Sequence, residues 1–149
     1  MNQPLTKCYC DVCGKPIEDT KNGYVIWKTT KELKSYDFKI IHQTKCDLKD
    51  HPASTALTDF LGEDGLAYLL AKLSIGPIKK QIGQGMHCEA ADINEFVDFM
   101  RRVQTPFYEE ARRHFGKHEL LEDYSDSDEV YPYQPEQLEK IAKKYGADR

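Results

Sequence analysis

The stretch CYCDVCGKPI, residues 8–17, decides how the first third of the chain folds. It sets three thiols within six positions and follows the last of them with Gly14 and Lys15. Such thiols serve as redox pairs, as disulfide halves or as metal ligands. The chain carries five cysteines, an odd number, and its opening residues, MNQPLTKC, lack the apolar core of a secretory signal. A cytoplasmic location is therefore expected, where reducing conditions disfavour disulfides. A redox role for Cys10-x2-Cys13 would need a βαβ pattern beside it, and hairpin signals follow instead. Metal ligation or inert thiols come first, ahead of redox chemistry.

The hairpin signals begin with the turn residues Lys21-Asn22-Gly23 and the β-formers Tyr24 to Trp27. A second run, Tyr36 to His42, alternates so that Tyr36, Phe38, Ile40 and His42 share a face. The polar segment Thr29 to Ser35 joins the two. The second run ends at His42, with Cys46 four residues on. Two thiolates spaced as Cys10 and Cys13 can both approach one ion at about 2.3 Å if a tight turn separates them. Gly14 allows that turn a left-handed backbone without a Cβ clash. Cys10, Cys13, His42 and Cys46 together form a Cys3His set, which suits tetrahedral, structural Zn²⁺ and leaves no position for water. Lys15 and Lys45 would offset the site's net charge of about −1. Three alternatives stay open: Cys8 as a substitute ligand, His51 in place of His42, and His42 as an ordinary core-face histidine.

Cys10-x2-Cys13-Gly14, a hairpin and His42-x3-Cys46 resemble a treble-clef or LIM-like zinc finger in the broad sense. The resemblance covers the first third of the chain and departs from the LIM pattern, which puts two residues between its second pair and a second zinc module behind. It implies a structural zinc and, by analogy of fold, a binding module more often than an enzyme.

Beyond residue 50 the pattern becomes helical. Pro52 suits a first helical turn, which predicts a helix over 53–61 ending at Gly62. Leu66, Leu69, Leu70 and Leu73 recur at helical spacing before Gly76-Pro77. Asp92 opens a helix striped by Ile93, Phe96, Val97, Met100 and Val103, and another follows Thr105-Pro106 up to Gly116. Residues 119–129 hold six acids and read as an exposed acidic loop. Pro135 opens a last helix with Leu138, Ile141, Ala142 and Tyr145 on one face. The expected fold is α+β: a small zinc-bound β-hairpin finger (1–50) packed on a mostly helical body of about five helices (51–149), forming one unit.

Charge and the remaining motifs bound the function. Net charge is −4, distributed as +2 over residues 1–50, −1 over 51–118 and −5 over 119–149. That distribution argues against a general DNA-coating protein. No apolar run of about eighteen residues exists, so no membrane span is expected. His114 and His118 read as a surface pair, His87-Cys88 as a small buried thiol before a helix, and 76–85 as a connecting loop without the order of a P-loop. Arg101-Arg102 and Arg112-Arg113 read as solvated, and adjacent Glu109 and Glu110 point apart and make no catalytic dyad. The expected function is a non-catalytic, zinc-stapled protein that binds another protein, as a regulator or inhibitor. A nucleic-acid-binding finger using Trp27, Tyr24 and nearby lysines is the alternative, and a metal-dependent enzyme the second alternative.

Overall fold

Residues 8–17 form a two-stranded clasp in which β1 (Cys8–Tyr9) pairs antiparallel with β2 (Pro16–Ile17). The computed structural model describes residues 7–83 and 88–146. The Cys-x2-Cys turn is thus the tip of the clasp, closed by Gly14 N–H donating to the Cys10 carbonyl at 2.9 Å. Gly14 has φ of +78°, the left-handed backbone that a tight turn around two thiols requires.

The expected hairpin is present as β3 (Gly23–Thr29) and β4 (Ser35–His42). The alternation of β4 breaks at Asp37, whose φ is +56°, where the pairing with β3 slips between Ile26 and Lys28. Such a bulge reverses the facing of residues beyond it. Phe38 and Ile40 are therefore buried while Tyr36, expected on the same face, is exposed and Ser35 is buried.

The helix expected over 53–61 does not form. Ala53–Ala56 is a strand, β5, antiparallel to the free edge of β3, and gives the sheet order β4-β3-β5. An unpaired central strand would leave a row of amides without partners, and Ser54 and Thr55 are poor helix formers, so pairing prevails. A single 3₁₀ turn, Leu57–Phe60, then leads into α1 (Gly62–Leu73).

Six α-helices are present among the described residues, close to the number expected. After α1 comes α2 (Gly76–Ile82), with Pro77 in its first turn and Gly83 in a left-handed C-cap, so most of the expected 76–85 loop is helical. Next are α3 (Ile93–Gln104), capped by the Asp92 carboxylate, and the short α4 (Tyr108–Arg112). The first half of the expected acidic loop is α5 (His118–Asp123), which its buried Leu120 holds against the protein. Last comes α6 (Pro135–Gly146). The whole is α+β, and no helix is long and apolar enough to cross a membrane.

Two apolar clusters hold these elements. The first packs the sheet on α1 and α3, with Phe38 stacked between Trp27 and Phe99 at centroid distances of 5.5 and 4.9 Å. Such aromatic pairs contribute about 0.5–1.5 kcal/mol each beyond the burial itself. The second packs α4, α5 and α6 through Tyr108, Ala111, Leu120, Leu138, Ile141 and Tyr145.

Candidate metal centre

The clasp and the end of β4 bring four soft donors together. The Sγ atoms of Cys10, Cys13 and Cys46 and a ring nitrogen of His42 all lie within 4.8 Å of one another. His42 Nδ1 is 3.4 Å from Cys13 Sγ and 3.9 Å from Cys46 Sγ. Ligands around a tetrahedral zinc, with Zn–S about 2.3 Å and Zn–N about 2.0–2.1 Å, sit about 3.6 Å apart, so these distances fit one ion shared among them. The residues present therefore suit a bound metal.

Each donor is placed by its local backbone. The clasp turn holds Cys10 and Cys13, and the Val12 amide points at Cys10 Sγ at 3.4 Å. His42 closes β4, and its Nε2 lies 3.3 Å from the Pro16 carbonyl. With Nε2–H donating there, Nδ1 turns its lone pair to the sulfurs, the second-contact arrangement common at metal-binding histidines. A turn with Thr44 at φ +69° brings Cys46 back, its amide donating to the His42 carbonyl.

The Cys10 and Cys46 thiols are shifted in opposite directions. Burial opposes charge on Cys10, but the backbone N–H groups of Cys13, His42 and Val12 outweigh it and lower the thiol from 9.0 to about 6. Cys46 is pushed up to about 11, first by burial and then by the neighbouring Cys10 and Cys13 sulfurs. A cation bound between them would favour the thiolate form of both Cys10 and Cys46.

The substitute ligands do not join the cluster. Cys8 faces the core, where burial and the Glu109 charge push its thiol up to about 12. His51 is buried between two carboxylates, Nδ1 at 2.7 Å from Asp50 and Nε2 at 3.0 Å from Asp37, so both ring nitrogens are engaged.

One feature of the site escapes a reading of ligand spacing. Asp11, inside the Cys-x2-Cys turn, exchanges hydrogen bonds with Ile40 on β4: its amide donates to the Ile40 carbonyl and its Oδ2 accepts from the Ile40 amide, both at 2.7 Å. The same Oδ2 takes Arg102 Nη1 at 2.8 Å. Arg102, expected in solvent, is only 4% exposed and also grips Glu109 through Nε at 2.6 Å and Nη2 at 3.1 Å. Glu109 in turn accepts the Tyr9 amide at 2.9 Å. The metal turn is thus bolted to α3 and α4. The expected stripe from Ile93 to Val103 gives no sign of this, because α3 turns its Phe99 and Arg102 side inward and leaves Ile93 54% exposed.

Other sequence candidates fall elsewhere. Trp27 is buried against Phe38, and Lys28, Lys34 and Lys39 bond to Asp50, the Cys88 carbonyl and Asp37. His118 is exposed and pairs with Glu122 at 3.4 Å, while His114 is half-buried beside Tyr145. Cys88 is half-buried with its Sγ 3.7 Å from the Ala90 carbonyl; His87, Gln84 and Gly85 lie outside the described residues. No family model, no curated protein and no solved structure matches the chain, so any functional argument rests on the site itself.

Proposed function

We propose that this chain is a zinc-stapled, non-catalytic interaction protein that binds another protein, as a regulator or inhibitor, in a reducing compartment such as the cytoplasm. The observation that carries this reading is the donor set: three thiols and one imidazole within 4.8 Å. Four soft donors fill the four positions of a tetrahedral zinc, which then works as a clamp between residues 10–13 and 42–46. Thiolate-rich sites favour zinc over the harder cations that carboxylates and waters hold. Through Asp11 and Arg102 the clamp also sets the seat of the helical half, which offers acidic and apolar surface to a partner. The nucleic-acid alternative has less to draw on, because the aromatic ring it needs most, Trp27, is packed inside.

The test is to purify the chain with its metal and measure zinc content and partner binding together, beside Cys13→Ser. The expected result is one zinc per chain and a saturable protein partner whose affinity drops at least tenfold in the variant. Partner binding indifferent to the metal, or turnover of a substrate at the zinc, would contradict the proposal.

A further inference from the structure

We propose that a groove on the helical half docks a short, basic protein segment through one large apolar anchor; this deepens the protein-binding reading by giving it a surface and a partner chemistry. The groove lies between α5, the Tyr131–Tyr133 turn and α6, and encloses about 270 Å³. Phe115, Leu121, Tyr124, Pro132, Tyr133 and Ile141 line it. Small-molecule sites usually run from roughly 300 to 1,000 Å³, so this groove is sized for a single bulky side chain. Its apolar surface continues outward. Leu121, on the wall, is 54% exposed, and Tyr131, 45% exposed, has its ring 6.0 Å from that of the wall residue Tyr124. Contiguous exposed apolar surface of this kind marks interaction sites.

Charge settles the kind of partner. One side of the groove, Leu120, Leu121 and Tyr124, comes from residues 119–129, which carry six carboxylates and no lysine or arginine. Glu122 pairs with His118, Asp123 with Lys144, and Asp128 caps the amides of Val130 and Tyr131. Glu119, Asp126 and Glu129 are exposed and have no ion-pair partner among the described residues. An apolar slot whose one side belongs to a segment with unpaired carboxylates disfavours anionic lipid and nucleic acid, and favours a segment with Leu, Met or an aromatic residue flanked by Lys or Arg. Such a complex forms by steering and holds by its anchor. Its affinity must therefore fall with added salt and vanish when the anchor is removed.

A displayed library of random peptides, selected on the full-length zinc-loaded chain, tests this. Leu121→Asp blocks the slot at an exposed position, and the triple variant Glu119→Gln, Asp126→Asn, Glu129→Gln removes the unpaired charge of the 119–129 segment. The proposal expects enriched peptides with an apolar anchor and basic flanks, at least tenfold weaker binding to Leu121→Asp, and several-fold weaker, less salt-sensitive binding to the triple variant. Circular dichroism spectra of both variants matching the parent confirm that the fold survives. Enriched peptides that are acidic, lack an anchor or bind both variants as well as the parent would overturn the groove while leaving partner binding elsewhere intact. Failure to enrich any peptide overturns it too, and the partner assay on Cys13→Ser then judges the wider reading separately.

Discussion

Arg102 on α3 donates to Asp11, a residue between the two cysteines of the clasp, across 2.8 Å. This contact joins the candidate metal turn to the helical half of the protein. Burial works against the Arg102 charge, but Glu109 and Asp11 together outweigh it and hold the guanidinium firmly protonated. Removing one partner from a buried pair leaves the others uncompensated, at about 3–5 kcal/mol. Arg102→Ala is expected to lose about that much stability in urea denaturation. Glu109→Gln is expected to lose less, because an amide oxygen still accepts the Tyr9 amide and Arg102 keeps Asp11. Equal stability of Arg102→Ala and parent would show that the network is dispensable.

Removing the metal should loosen the clasp before the rest. Structural zinc is worth about 10–16 kcal/mol of apparent binding energy in small fingers. A chelator is expected to broaden or shift the amide resonances of residues 8–17 and 42–46 most in a two-dimensional NMR spectrum, with smaller shifts carried through Asp11, Arg102 and Glu109 to α3, α4 and the α6 packed on α4. His42→Ala and Cys13→Ser should produce the same pattern without a chelator. Spectra unchanged by all three treatments would contradict a structural ion.

The acid limb of stability has an assigned source outside the metal site. Asp37 lies below the usual carboxylate range: partial burial opposes this, but the His51 hydrogen bond and the Lys39 charge prevail. Asp50 is lowered too, chiefly by its hydrogen bond to His51 and then by Lys28. A carboxyl depressed in the folded state stabilises it above the unfolded pKa, and that gain fades as pH falls through the folded value. Stability of the parent is thus expected to drop from about pH 4 downward, and the double variant Asp37→Asn, Asp50→Asn to start lower and fall less steeply there. Both proteins share the acid sensitivity of the thiolates, so the difference between their denaturation curves isolates the two aspartates.

Gly65 sits where no side chain fits, since a Cβ there would overlap the backbone of Phe60, whereas one on Gly116 meets nothing within 4 Å. Gly65→Ala is expected to destabilise by at least about 1–3 kcal/mol, and Gly116→Ala to leave the urea midpoint close to that of the parent. Comparable midpoints for the two would contradict the close packing of α1 on the Leu57–Phe60 turn.

What could be read from the sequence was what is local. Cys10-x2-Cys13-Gly14 and His42-x3-Cys46 announce a donor set because the turn chemistry that aims two ligands at one ion fits within a few residues. The hairpin and the last helix were equally plain, with strand formers around Gly23 and a one-sided stripe after Pro135. What escaped depends on distant partners. Ala53–Ala56 becomes a strand only because β3 offers an open edge, and nothing in those four residues records it. The Asp37 bulge turns Tyr36 outward, and simple alternation gives no sign of it. Arg102 stands off the stripe of Ile93, Phe96, Val97, Met100 and Val103 and is buried because α3 turns its Phe99 side inward, toward two acids 91 and seven residues away.

X-ray absorption at the zinc edge of the purified, zinc-loaded protein tests the central claim most directly. The account predicts three sulfur neighbours near about 2.3 Å and one nitrogen near about 2.0–2.1 Å, with no oxygen in the shell. A water or carboxylate oxygen bound to the ion, or fewer than three sulfurs, would contradict a closed clamp made by Cys10, Cys13, His42 and Cys46.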